Sequence, residues 1–484
     1  MLSILVLHSG NLGLRNNAKA IAAGPQQTTS EAQIQQKNVV AQFGGFGLPD
    51  LLDIPGAVDD KVNQIESNIR SRIPNILLPL IPEDLFSLEA ARLSEFSDYF
   101  NKDVPDFEQQ PADIRKTLET VAAQTGHRYA MVYVAYKEEG LEFLLFAPGA
   151  EPQSLYTADA NQEQLTEMVN KFRSDLVLSL RRTNTNYLDT SQALYQALIE
   201  PLEAYLNSNN IDGLIFSMDQ GLRNLPLAAL HDGDRYLIEK YSLAMIPSFA
   251  DINSDYLSLQ KTPVLAMGAE NFKDLEPLPG AALEINAIAD ITTGKSVLNE
   301  EFSVKNLTTL RSAQNFPIVH LATHAEFNAG SPKKSSIYLW NDELRLNDID
   351  DLKLDNPPLE LLVLSACQTA VGSKDAELGF AGLTIASGSK TALGSLWYVS
   401  DSGTLVLMQD FYNYLQTQST KSEALRQAQL SMLKGELKIV DGQLRSTSGT
   451  RAVLKVADSM ANFNPDQLTH PYYWSAFTLV GQPW

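Results

Sequence analysis

The stretch Ile318-Val319-His320-Leu321-Ala322-Thr323-His324 is mostly apolar and closes on a histidine. A second run of the same kind, Leu361-Leu362-Val363-Leu364-Ser365-Ala366-Cys367, closes on a cysteine. Short, nearly continuous apolar runs suit strands buried on both faces, as in a parallel sheet covered by helices. The 43 residues separating His324 from Cys367 leave room for the crossover that two parallel neighbours require. Runs of similar character occur at Leu214–Met218, Val264–Gly268, Ala392–Trp397 and Phe477–Val480. Helical patterns fall between them, near 190–207, 281–290, 302–313, 378–387, 401–417 and 420–434. This alternation predicts an α/β fold with a mainly parallel sheet sandwiched by helices. In such sheets functional groups collect beyond the carboxyl ends of the strands, where both reactive side chains lie.

Working toward the N-terminus, Tyr129–Tyr136 and Leu141–Ala147 read as a hairpin joined by Lys137-Glu138-Glu139-Gly140. A helical stretch near 111–124 precedes it. From about 51 to 104 the pattern is again helical: Leu85, Leu88, Phe96 and Tyr99 share one face, with Pro82 ahead and Pro105 behind. Residues 1–50 are rich in Gln, Asn, Gly and Ala and carry Gly44-Gly45-Phe46-Gly47, a composition unable to build its own core. The expected organisation is therefore a flexible leader (1–50), a helical extension (51–109) and an α/β domain (110–484). No 34-residue helical repeat is visible, so no solenoid is expected.

Composition narrows the function. The chain has 484 residues, with 37 Lys+Arg against 58 Asp+Glu, a net charge of −21 and a pI near 4.7. A nucleic-acid binder needs clustered positive charge, and an anionic leaflet repels an acidic surface. One cysteine excludes an intrachain disulfide framework and multi-cysteine metal sites. No run approaches the roughly 18 apolar residues of a membrane span. Leu2–Leu7 is a short apolar segment and Ala20-Ile21-Ala22 resembles a cleavage site, but Arg15 and Lys19 follow the apolar run instead of preceding it. The expected location is cytoplasmic, with a truncated secretory leader or an incorrectly assigned start as the alternative.

A thiol with a pKa near 8.5 is mostly protonated at neutral pH, and a neighbouring imidazole raises its thiolate fraction. His324 and Cys367 at adjacent strand ends would supply that proximity. A lone cysteine is also commonly a buried apolar residue. Other patterns fail on chemistry. His320 and His324 have zinc-protease spacing, but Leu321 stands where the glutamate belongs and the segment reads as strand. His320 is expected to be a hydrogen-bonded core residue. Gly294-Lys295-Ser296 resembles the end of a phosphate loop, yet Ala289 replaces its first glycine. No G-x-S-x-G elbow is present.

Taken together, His320-Leu321-Ala322-Thr323-His324, Leu364-Ser365-Ala366-Cys367-Gln368-Thr369, Gly394-Ser395-Leu396-Trp397 and His470-Pro471-Tyr472-Tyr473-Trp474 resemble the CHAT family, a prokaryotic branch of the caspase and separase clan of cysteine peptidases. Leu222-Arg223-Asn224-Leu225-Pro226-Leu227-Ala228-Ala229-Leu230 resembles its L-x-x-[IL]-P-[FL]-x-x-L signature, and Leu278-Pro279-Gly280-Ala281 the start of one of its helices. The resemblance runs from about residue 110 to the C-terminus. Each motif is modest alone; their joint order and spacing are specific.

The resemblance implies a caspase-like fold and a His324–Cys367 dyad, with neither metal nor organic cofactor. Cys367 would attack a peptide carbonyl and His324 would move the protons. Backbone N–H groups of Cys367 and Ala325 would hold the oxyanion. The clan usually has glycine after the histidine; alanine here would carry strain if that turn needs a positive φ. A peptide substrate would pair beside the sheet along Ser395–Asp401. Trp397 is read as its aromatic wall or as a core aromatic. Asp375 and Glu377, in the loop after Cys367, are candidates for selecting a basic P1 residue, or solvated carboxylates. Asp401 lines the groove or caps the helix that follows. Trp474 is expected to anchor the last strand. Regulation would come from a protein partner or from residues 1–104. The alternative function is a catalytically silent module that recruits protein partners.

Overall fold

The computed structural model describes residues 77–484, except 103–106, 139, 159–160, 183–186, 251, 274, 370–372, 441–442, 447–453 and 456–464. The expected leader and the helical pattern over 51–76 lie outside the described residues. The chain divides into two compact units, Met1–Leu78 and Pro79–Trp484; the second is considered below.

The strands of its main sheet are β1 (Tyr129–Lys137), β2 (Gly140–Phe146), β3 (Gln153–Ala158), β4 (Gly213–Met218), β5 (Ser242–Met245), β6 (Val264–Gly268), β7 (Lys295–Leu298), β8 (Ile318–Phe327), β9 (Ser336–Leu339), β10 (Asp342–Arg345), β11 (Leu361–Thr369), β12 (Thr391–Ser395) and β13 (Phe477–Gly481). Their order is β3-β2-β1-β4-β5-β13-β12-β11-β8-β9-β10, with β6 pairing β8 and β7 beyond it. Pairing is parallel at β1/β4, β4/β5, β6/β7, β6/β8, β8/β11 and β11/β12. It is antiparallel in the β1–β2–β3 meander, the β8–β9–β10 meander and between β12 and β13. A separate small sheet joins Leu437–Val440, Gln443–Ser446 and Leu454–Lys455. The predicted mainly parallel α/β architecture is the observed one.

The buried strands are those whose sequences run apolar: β1, β2, β4, β6 and β12 have almost no exposed residue. Helices cover the sheet. Among them are α1 (Pro82–Phe100), α2 (Pro111–Thr125), α3 (Gln162–Arg182), α4 (Tyr187–Leu198), α5 (Ala281–Thr292), α6 (Val304–Ala313), α7 (Lys374–Ala381), α8 (Leu383–Ser387), α9 (Asp401–Leu415) and α10 (Lys421–Leu433). Pro82 occupies the first turn of α1, where a missing N–H costs nothing. Asn101 closes the helix in the left-handed conformation, one of the few non-glycine types that tolerates it.

The inward face of α1 is Leu85, Glu89, Arg92, Leu93, Phe96 and Phe100, a helical stripe that includes two charges. Leu85 joins Ile114, Leu118 and Val121 of α2 over Tyr129, Met131 and Tyr133 of β1. Glu89 accepts from the Tyr133 and Ser248 hydroxyls and from the Phe249 N–H. Arg92 donates to the Ser217 hydroxyl, to the Val134 carbonyl at 2.9 Å and to Asp219 at 3.1 Å. Buried charges persist only with such partners. The helix is thus registered on the carboxyl ends of β1 and β4.

Candidate active site

The histidine strand β8 and the cysteine strand β11 are adjacent and parallel. Register runs Leu361↔Ile318 to Leu364↔Leu321, then resumes at Ala366↔His324 and Cys367↔Ala325. One extra residue therefore sits in the histidine strand, a bulge of the kind that re-aims side chains beside active sites. The Thr323 hydroxyl, inside that irregularity, donates to the Tyr338 carbonyl of β9. His324 and Cys367 are one register step apart on neighbouring strands, which corresponds to a Cα separation of about 6 Å. The side chain of Cys367 lies outside the described residues.

His324 is half-buried, with Nε2 2.8 Å from the Glu276 carbonyl oxygen. A carbonyl only accepts, so this contact requires the proton on Nε2 and leaves Nδ1 with a free lone pair in the neutral ring. Phe272 meets the imidazole edge-on, with centroids 4.9 Å apart. Ring orientation and tautomer are thereby set together. His320, four residues earlier, is fully buried. Its Nε2 lies 2.7 Å from Glu284 Oε1 and its Nδ1 3.2 Å from the Tyr412 hydroxyl. Both nitrogens are satisfied inside the core, as expected for this residue.

Beyond β12, the Leu396 N–H donates to the Ala476 carbonyl at 2.9 Å, and Arg173 Nη2 donates to the Leu396 carbonyl at 2.7 Å. Trp397 is 7% exposed. Its indole N–H donates to the Tyr472 carbonyl at 3.1 Å and its ring stacks on Tyr472. The aromatic that reaches solvent is Tyr398, 41% exposed. Its hydroxyl donates to Asp401 Oδ1 at 3.1 Å, and its carbonyl accepts from the Tyr472 hydroxyl at 2.8 Å.

Asp401 is the first residue of α9; the cap is Ser400, whose side chain accepts from the Gly403 N–H. Burial raises the Asp401 pKa, against the opposing pull of Tyr398, the Gly280 N–H and the His324 charge. Asp401 therefore sits within the electrostatic reach of His324, and Gly280, to which it bonds at 3.5 Å, closes the loop that supplies the Glu276 carbonyl.

Asp375 and Glu377 are in the first turn of α7, capped by Ser373, and not in an open loop. Asp375 accepts from the Gly330 N–H at 2.8 Å. Glu377 is 3% exposed and accepts from the Gly221 N–H at 2.8 Å. Burial raises its pKa, while Gly221, Arg223 and Arg173 act in the other direction. Ala325 is a buried strand residue between Cys367 on one side and Ile337 on the other. It is not among the described non-glycine residues with positive φ, so the strain considered for an alanine at this position does not arise. Trp474 is fully buried, its indole N–H donating to the Thr469 carbonyl.

Residues 188–482 match the CHAT domain family, well over half of the chain. The chain belongs to the CHAT domain family. This CHAT domain has the mainly parallel, helix-covered sheet that its sequence predicts. No curated protein matches the chain. Among solved structures, the Saccharomyces cerevisiae separase–securin complex at 2.6 Å resolution is similar, with 11% identity, TM-score 0.49, and coverage of 90% of this chain and 34% of that chain. A second structure of that complex, at 3.0 Å, gives 10% identity, TM-score 0.48, and coverage of 95% and 38%. The chain spans little more than a third of those separase chains. No described helix is long and apolar enough to cross a membrane.

Arg173 and Glu276 carry no motif signal, and Tyr398 lies within the predicted groove segment Ser395–Asp401, where Trp397 is the aromatic expected to matter. Glu276 acts through its backbone, which no side-chain motif records. Arg173 lies on α3, a helix the sequence reading passed over, although Leu165, Val169, Phe172 and Leu176 recur at helical spacing.

Proposed function

We propose that this CHAT domain is a cysteine endopeptidase acting through His324 and Cys367. His324 Nδ1 takes the thiol proton as the Cys367 sulfur attacks the scissile carbonyl. The tetrahedral oxyanion collapses, the C–N bond breaks, and the imidazolium gives its proton to the departing amine. Water, deprotonated by His324, then attacks the thioester, releasing the acid and restoring the thiol. The observation that carries this reading is the adjacency of the histidine and cysteine strands, parallel and paired at their ends, with the His324 tautomer fixed by the Glu276 carbonyl.

The N–H groups of Cys367 and Ala325 are the proposed oxyanion donors. Both residues belong to the β8–β11 ladder. An extended peptide would run along Ser395–Asp401, with Tyr398 exposed beside it and Asp401 near the histidine. Asp375, Glu377 and Asp401 all accept hydrogen bonds within the domain, and of the three only Asp401 lies on the segment Ser395–Asp401, which favours it as the carboxylate nearest a bound residue. Control by a protein partner or by residues 1–104 belongs to this proposal.

The closed ladder around the buried Ala325 is the observation that favours the second reading, a silent module that recruits partners. Profiling of cleavage products, wild type against Cys367→Ala, decides between them. The peptidase predicts products that vanish in the variant, together with rapid labelling of Cys367 by acyloxymethyl ketone peptides. Equal cleavage by both proteins would sink the dyad. No cleavage and no labelling would leave the module.

A further inference from the structure

The segment after β12, the helix after the cysteine strand and the loop after β4 are each tied by buried polar groups. Thr166 and Arg173, seven residues apart on α3, share one helix face. Arg173 is 1% exposed, and burial lowers its pKa to about 10. Its hydrogen bond to the Leu396 carbonyl occupies the first residue after β12, whose N–H is already held by Ala476. Both backbone groups of Leu396 are therefore committed, and the chain leaves toward Tyr398 and Asp401 from a fixed point.

On the other side, Glu377 lies ten residues after Cys367 and bonds the Gly221 N–H from the start of α7. Gly221 has φ +89°, and a Cβ there would stand 2.2 Å from Thr166 Oγ1. The loop after β4 is thus pressed against α3 at the residue that Glu377 holds. Arg223 of the same loop donates to the Met218 carbonyl at 2.9 Å and pairs with Glu95 of α1, and Glu95 lies 3.6 Å from Lys374.

We infer that Arg173 and Glu377 are positioning residues of the proposed peptidase: Arg173 fixes the groove segment 396–401, and Glu377 fixes the helix that follows the cysteine. The inference rests on the peptidase reading; the two buried charges act on each other, yet each ties a different backbone segment. Loss of Arg173 loosens the binding wall. Loss of Glu377 loosens the support of the nucleophile.

The test uses the full chain, a protein substrate found by the profiling above, and iodoacetamide as a small probe of Cys367. Arg173→Met is expected to raise KM about tenfold or more while kcat and the alkylation rate stay within about threefold of wild type. Glu377→Ala is expected to lower kcat and the alkylation rate together, with KM little changed. Glu377→Gln, whose amide oxygen still accepts the Gly221 N–H, should restore most of both. Hydrogen exchange is read in parallel: faster amides in 395–401 for Arg173→Met and in 374–381 for Glu377→Ala, with the rest of the domain at wild-type rates. Should Arg173→Met fail to fold, Arg173→Lys takes its place. If wild type proves inert, the catalytic reading fails and the exchange pattern alone decides the positioning. Wild-type exchange in both segments, uniform loosening of the whole domain, or a Glu377→Gln variant as impaired as Glu377→Ala would each overturn the inference.

Discussion

Glu276 contributes to the site through its carbonyl and not its carboxylate, and this separates two substitutions that look alike on paper. Glu276→Ala keeps the acceptor of the His324 Nε2–H and should leave kcat within about threefold of wild type. His324→Asn removes the base and should lower kcat by roughly 10²–10⁴-fold, measured on the same substrate. Lys421 offers a stability test at the same scale. It is 2% exposed, its Nζ reaches the Glu360 carbonyl only at 3.5 Å, and burial lowers its pKa to about 7. Between that value and about 10.4, the unfolded chain holds a proton the folded chain lacks, so stability rises with pH through the window. Lys421→Met should flatten this slope and stabilise the domain at pH 7 by roughly 1–3 kcal/mol, measured by urea unfolding at pH 7 and pH 9.

At the scale of elements, polar caps and apolar stripes explain what was legible. The strands ending at His324 and Cys367 were readable because burial on both faces forces a continuous apolar run. The edge strands β7 and β10 were not, since Lys295-Ser296 and Asp342-Glu343 face water and charge at an edge is how a sheet avoids mispairing. Asp375 and Glu377 read as loop carboxylates because an acidic first turn looks the same as a solvated loop until the cap is known. His470 caps the short helix Pro471–Trp474: its Nδ1 accepts from the Tyr472 N–H, and its Nε2 lies 3.1 Å from the Ser179 hydroxyl of α3. Burial lowers its pKa to about 4. The neutral ring is the folded form, so its contribution is complete above the unfolded value of about 6.5 and is lost as pH falls from there through about 4. His470→Ala should lower Tm at pH 8 and weaken the acid dependence between pH 6.5 and 4, followed by thermal scans across that range.

Across the whole molecule, the charge of −21 sets the long-range field while the local pairs set the geometry. The protein should show no retardation of duplex DNA even at low salt, where any basic stripe would be strongest; a salt-sensitive gel shift would contradict this. Continuity is the other whole-molecule property. The sheet runs unbroken from the β1–β3 meander to the β8–β10 meander. Contacts such as Gly221–Glu377 and Arg173–Leu396 tie the loop beyond β4 to α7, and α3 to the segment after β12. The sequence by itself determined the family, the alternation of buried strands with helices, and the strand ends that carry His324 and Cys367, because apolar periodicity and motif order are local properties of a chain. Tertiary structure alone decided that Glu276 orients the histidine, that Trp397 is covered while Tyr398 is not, and that Glu377 is a buried tie and not a solvated carboxylate. Those facts depend on which distant backbone groups come within hydrogen-bond distance, and a linear pattern carries no record of that.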